Sequence, residues 1–176
     1  MKKRLLISII LAAIMLLVPA SAVLAANPVP ITITATPGKV SIAVTPATTW
    51  AIDVIDENTT KYSGTWDGTG TLADETAYFT VTNDGTGSVD ITITGADFTG
   101  GVGWALTSDA PGENTVRLKA YKEGDLEAAG VILENGVPKA FISGLTTNTD
   151  FELRIETGTY TDTVAKEGSV TLTAAR

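Results

Sequence analysis

The side chains in this sequence that could do chemistry are acids and indoles. The chain of 176 residues contains no histidine and no cysteine. That removes Ser-His-Asp and Cys-His machinery, zinc and copper sites of the usual kind, and haem ligation through those groups. Carboxylates remain, and Asp53, Asp56, Glu57, Asp67, Asp74 and Glu75 crowd one stretch. Glycoside hydrolysis needs two acids on opposite sides of a scissile bond, one with a raised pKa. Crowding alone does not supply that geometry, because an acidic, Gly-rich surface segment produces it by default. The sequence therefore reads as non-catalytic, with no catalytic residue and no cofactor.

Three tryptophans offer a different chemistry. Exposed indoles on a flat β surface stack against pyranose rings while nearby Asp, Asn and Thr bond the hydroxyls. Trp66 is the candidate, because it lies in the polar run TWDGTG beside Asp67 and near Tyr62. Covering the edge of a core is the competing role for Trp66. Trp50 and Trp104 fall in alternating segments, where core packing is the expected role. A third possibility is calcium, since Phe79 to Gly95 reads FTVTNDGTGSVDITITG and the Asn-Asp-Gly-Thr-Gly loop is rich in oxygen. Only Asp84 supplies a carboxylate within the loop, too few for a calcium site. The flanking Phe79 and Val81, and Val89, Ile91 and Ile93, fall in phase on one face. A hairpin turned at Gly85 and Gly87 accounts for the stretch, and no metal site is expected.

The elements that must position these residues are strands. Apolar residues alternate with Thr, Ser or charge in ITITAT (31–36), KVSIAVT (39–45), TWAIDV (49–54), YFTVTN (78–83), SVDITITG (88–95), TVRLKAY (115–121), KAFISGL (139–145), DFELRIET (150–157) and SVTLTAA (169–175), the period-two signature of half-buried strands. GVILE (130–134) adds a short candidate, and EGDLEAAG (123–130) carries a single helical turn at most. Gly, Pro and Asn clusters punctuate the strands at the spacing of a sandwich. Residues 55–77 form the one long stretch without alternation, read as a surface loop with a short strand near Trp66; loops of that length are usually functional. The fold expected is all-β, two antiparallel sheets packed face to face, with about nine strands. The Thr triplets at 32–34, 80–82, 92–94 and 171–173 place rows of methyl and hydroxyl groups on outward faces. Such rows occur on ice-binding surfaces, but Thr suits any solvated strand face.

The first residues, MKKRLLISIILAAIMLLVPASAVLA, set Lys2, Lys3 and Arg4 ahead of an apolar run from Leu5 to Val18, then Pro19 and small residues. This is the pattern of a secretory signal peptide over 1–25, with cleavage after Ala25; an uncleaved anchor is the alternative. Residues 26–176 then form a single domain of about 150 residues. Losing the three leader cations leaves 9 Lys and Arg against 20 Asp and Glu, a formal charge of −11. That surface repels phosphates, so nucleic acid is not an expected partner, and nothing ties the processed chain to a membrane.

F-x-V-x-N-x-G-x-x-x-V-x-I, carried by Phe79, Val81, Asn83, Gly85, Val89 and Ile91, resembles a strand pair of secreted prokaryotic immunoglobulin-like surface domains. ISGLTTNTDFELRI (142–155) is similar to the corner before the penultimate strand of fibronectin type III domains. Leu145, Thr149 and Phe151 match that corner, while Thr147 replaces the usual proline and Phe151 lacks the tyrosine hydroxyl. Trp104-Ala105-Leu106 resembles the Trp-x-Leu element of wall-binding domains. These likenesses imply an immunoglobulin-like sandwich and no particular activity. The resulting expectation is a secreted or cell-surface, non-catalytic matrix or adhesion component that presents the 55–77 loop and its sheet edges to another surface protein. Two alternatives stand beside it. One is a module binding cell-wall or extracellular polysaccharide through Trp66, Tyr62 and Asp67. The other is a homo-oligomeric fibre in which an N-terminal strand containing Ile31 and Ile33 pairs with a neighbour's sheet edge.

Overall fold

The computed structural model describes residues 38–46, 49–52 and 54–176. The leader and the strand expected at 31–36, with Ile31 and Ile33, lie outside the described residues, as does Asp53.

Among the described residues ten strands form two sheets: β1 (Ile42–Thr45), β2 (Thr60–Tyr62), β3 (Phe79–Asn83), β4 (Val89–Gly95), β5 (Ala105–Leu106), β6 (Thr115–Lys122), β7 (Val131–Ile132), β8 (Lys139–Leu145), β9 (Asn148–Thr157) and β10 (Val170–Ala175). The larger sheet runs β1-β3-β9-β6-β5. β2 shares the β3 side of the long strand β9, and β7 shares the β5 side of β6. The smaller sheet runs β10-β4-β8. Pairing is antiparallel throughout except for the two-residue contact of β5 with β6.

Alternation sets which side chains enter the space between the sheets. Phe79 and Val81 of β3, Val116, Leu118 and Ala120 of β6, and Phe151, Leu153 and Ile155 of β9 meet Val89, Ile91 and Ile93 of β4 and Phe141, Ile142 and Leu145 of β8. Two neighbouring residues of β8, Phe141 and Ile142, are both buried because a bulge interrupts the pairing: Ile91 faces Ile142, whereas Thr92 faces Ala140. The bulge turns one extra side chain into the core.

The segment 79–95 is not a hairpin. β3 pairs with β1 and β9, whereas β4 pairs with β10 and β8 in the other sheet, so the Asn83–Gly87 loop carries the chain from one sheet to the other. In-phase apolar residues on both flanks fit this arch as well as a hairpin, because both strands face one core. Asn83 holds the arch: its Nδ2 donates to Gly87 O at 2.8 Å and Leu145 O at 2.9 Å, and its Oδ1 accepts from Gly85 N at 2.9 Å. The described residues of 49–54 form no strand, though Trp50, Ile52 and Ile55 still pack on the core. The helical turn expected at 123–130 is the 3-10 turn Glu127–Ala129.

Candidate functional site

The long loop was the segment expected to meet a ligand, and it folds back onto its own sheet. The outward face of the larger sheet carries Arg117, Lys119 and Tyr121 on β6 beside Glu156, Arg154 and Glu152 on β9, in that register. Residues after β2 cross this face and build a second, smaller core from Trp66, Leu72 and Tyr121, with Tyr62 and Ala77 packed against it. Ser63 stitches the start of the loop to β9: its amide donates to Leu153 O at 2.8 Å, and its Oγ accepts from Leu153 N at 2.9 Å. Thr65 and Thr76 close the stem, with Thr65 N donating to Thr76 O at 3.0 Å and Thr76 N donating to Thr65 Oγ1 at 2.8 Å. Leu72 N donates to Asp125 O at 3.2 Å, tying the far end to the turn after β6.

Trp66 is therefore buried, at 1% exposure. Its ring meets Tyr121 edge to face at 4.5 Å and Tyr62 at 5.8 Å, and its Nε1 donates to Thr69 O at 3.0 Å. An indole packed this way offers no open face to a sugar ring, so the stacking platform expected of Trp66 is not formed. Asp67 is exposed, and its Oδ1 accepts from Thr69 N at 2.9 Å and Thr69 Oγ1 at 2.6 Å. Those two bonds hold its carboxyl below the ordinary carboxylate range. The turn needs Gly68, whose φ of 86° suits glycine and where a Cβ would approach the Tyr62 hydroxyl to 2.4 Å. Tyr62 is half-buried, and burial, the largest effect on it, raises its pKa.

Of the two aromatic residues expected to meet a ligand, Trp66 faces no opening and Tyr62 does. Together with Trp50, Ala51, Ile52, Val54 and Lys61 it lines a depression of about 250 Å³. Trp50 is only half-buried there, while Trp104 is 8% exposed, at 5.9 Å from Tyr160 and with the Lys166 ammonium 5.7 Å from its ring centre.

The described acids of the crowded stretch do not converge. Glu57 accepts from Tyr160 N at 2.9 Å, Asp74 from Thr71 Oγ1 at 2.9 Å and Glu75 from Thr65 Oγ1 at 3.3 Å. Among the described residues no three metal-ligating side chains gather at one point. The ionic cluster that does form lies under and beside the loop. Glu127 Oε1 accepts from Lys119 Nζ at 3.4 Å, from the Tyr121 hydroxyl at 3.2 Å and from Arg154. Arg154 also pairs with Glu156, whose Oε2 accepts from Arg117 Nε at 2.6 Å. The Arg154 guanidinium sits 5.7 Å from the Tyr62 ring centre. Burial, then the Glu127 charge, pushes the Tyr121 hydroxyl well above its ordinary range against the opposing pull of Arg154.

Glu152 stands apart from this cluster. It is 0% exposed, and neither carboxylate oxygen has a hydrogen-bond partner. Burial raises its pKa to about 7, with the Glu75 charge adding to the rise; the nearby amides of Trp66 and Gly64 oppose it without closing a standard hydrogen bond. Sequence reasoning missed Glu152, Arg154 and Glu127 as a group. FELRIE and TVRLKAY put their charges outward, but only the β6–β9 register shows that Arg117 faces Glu156 and Tyr121 faces Glu152.

The opposite side of the molecule is different. The outward residues of the smaller sheet include Asp90, Thr92, Thr94, Thr171, Thr173 and Ala175, all exposed or half-exposed, with Thr94 opposite Thr171 and Thr92 opposite Thr173. Comparison of the chain with family models, with curated proteins and with solved structures finds no match.

Proposed function

We propose that this chain is an exported, non-catalytic component of a cell surface or extracellular matrix, built on an immunoglobulin-like sandwich and acting as a rigid scaffold that meets its partner through a sheet face left uncovered by the described residues. The observation that carries the reading is the contrast between the two outer faces. The larger sheet is roofed by its own loop, whereas the smaller sheet presents short hydroxyl and methyl groups in facing threonine pairs, with the Asp90 carboxylate at one end. Short side chains lose little conformational freedom on contact, so such a face suits a broad, extended partner such as a wall polymer or another surface protein. The leader-like residues 1–25 supply the reason to place it outside the cell.

Cell fractionation tests the reading. The processed chain should appear in the envelope or medium with an intact mass that begins at Ala26, and protease added to whole cells should reach it. A full-length chain confined to the cytosol would sink the proposal.

A second reading keeps polysaccharide as the ligand but moves its contact. The depression lined by Trp50 and Tyr62 has the aromatic walls that Trp66 does not offer. In that case Trp50→Ala should abolish retention on polysaccharide, while Trp66→Ala should act only through folding.

A further inference from the structure

Three features of the larger sheet's outer face point the same way. A carboxylate with no partner is sealed beneath the loop; the loop's small core of Trp66, Leu72 and Tyr121 is separate from the main core; and the loop stem is held by few bonds, Thr65 with Thr76 and Leu72 with Asp125.

The groups around Glu152 leave it without a counter-charge. On its own strand, Arg154 is committed to Glu127 and Glu156, and Asp150 accepts from Thr80 Oγ1 at 2.6 Å. Across the sheet, the Tyr121 hydroxyl turns to Glu127, which Lys119 also approaches. On β2, Tyr62 lies against the Arg154 guanidinium. From the loop come the backbone of Gly64 and Trp66 and the negative charge of Glu75. Gly64 packs so tightly that a Cβ there would lie 1.6 Å from Glu152 Oε1 and 2.5 Å from Thr76 O. An ionised carboxylate buried without a counter-charge is strongly disfavoured, and a neutral carboxyl is tolerated.

We propose that the segment 64–77 is a pH-sensitive cover, which closes over neutral Glu152 and lifts when Glu152 ionises. The sign follows from linkage. The closed cover raises the carboxyl to about 7 from the ordinary 4.5, which it regains when the cover lifts. Closure is therefore favoured most at and below the ordinary value, loses ground as pH rises between the two, and changes no further above about 7. Lifting uncovers Trp66, Tyr121, Tyr62 and Arg154 together, two buried aromatic rings with a half-buried ring and a guanidinium at their edge, a surface that the closed form hides. Because the main core lies on the other side of β6 and β9, the cover can move without unfolding the sandwich.

Amide hydrogen exchange tests this on the mature chain at pH 5 and pH 8.5, with rates corrected for intrinsic exchange. The opening equilibrium across 64–77 should rise roughly a hundredfold, while peptides from β4 and β6 stay unchanged. In Glu152→Gln, whose side chain cannot ionise, the corrected opening should be the same at both pH values. Glu75→Gln, which removes only the neighbouring like charge, should keep the transition and move its midpoint down; this variant tests the idea if Glu152→Gln does not fold. A wild-type loop whose corrected exchange ignores pH overturns the proposal. So does an equal rise in Glu152→Gln, or a midpoint unmoved in Glu75→Gln.

Discussion

Removing the Asn83 amide should weaken the whole sandwich, because that side chain joins two of the places where the chain crosses between sheets, β3 to β4 and β8 to β9. Asn83 is 9% exposed at the end of β3. Its Nδ2 reaches Gly87 O within the β3–β4 crossing and Leu145 O at the end of β8, just before the β8–β9 crossing, and its backbone amide donates to Thr147 O at 2.6 Å. Asn83→Ala deletes three side-chain bonds, each worth about 1 kcal/mol net, and strands the buried Leu145 carbonyl, which adds about 1 kcal/mol or more. Water can replace the bonds to Gly85 and Gly87 in part, so the expected loss is about 3 kcal/mol. Urea unfolding followed by tryptophan fluorescence measures it, as a lower midpoint at unchanged slope. Asn83→Asp keeps the acceptor for Gly85 N but faces two carbonyl oxygens with a carboxylate. It should be at least as damaging as alanine at pH 7 and recover in part under acid conditions, where the neutral acid can donate one bond. A loss below about 1 kcal/mol for alanine would mean that the backbone alone holds the crossings, and would refute this reasoning.

Two other perturbations separate the two halves of the larger sheet's outer face. Trp66→Ala should destabilise the loop by about 3 kcal/mol, at the low end for a buried tryptophan, and hydrogen exchange should show the loss across 64–77 with the strands of the main core keeping their protection. Arg154→Met should cost about 2–3 kcal/mol, because it leaves Glu127 and Glu156 without the charge that bridges them in a largely buried site. Lys139→Met, which removes a half-exposed pair with Glu134, should change stability by less than about 1 kcal/mol. Thermal or urea unfolding of the two variants side by side checks that contrast.

Period-two alternation placed the inward side chains of β3, β4, β6, β8, β9 and β10 within a residue or two, because a half-buried strand writes its buried face into the sequence. Alternation does not name a strand's partner. FTVTNDGTGSVDITITG therefore read as a hairpin, although its pattern fits a link between sheets equally well, and the deciding contact, Asn83 to Leu145, spans 62 positions. TWAIDV carries the pattern of a strand and buries its apolar residues against the core, yet its described residues make no ladder. The opposite failure occurred at Thr60–Tyr62 and Ala105–Leu106, which are too short to show a period. The site suffered most. Gly, Thr and acid in 55–77 announced turns, and turn chemistry says nothing about where a loop lies down. Trp66 was legible as a residue that must bury or bind; the hydrophobic partners that settled its position, Tyr121 and Leu72, are 55 and 6 residues away in sequence. Glu152, outward by alternation, became the most buried acid among the described residues for the same reason.

Partner contact through the threonine face of the smaller sheet is tested by co-sedimentation with insoluble cell-envelope material. The purified mature chain is spun with and without envelope, beside Thr92→Lys/Thr173→Lys, Trp50→Ala and Trp66→Ala, each first checked for folding. Wild type should pellet only with envelope, the lysine pair should abolish pelleting, and the two tryptophan variants should retain it. Unchanged pelleting by the lysine pair, or loss confined to Trp50→Ala, would contradict contact through this face, and pelleting without envelope would point to self-assembly instead.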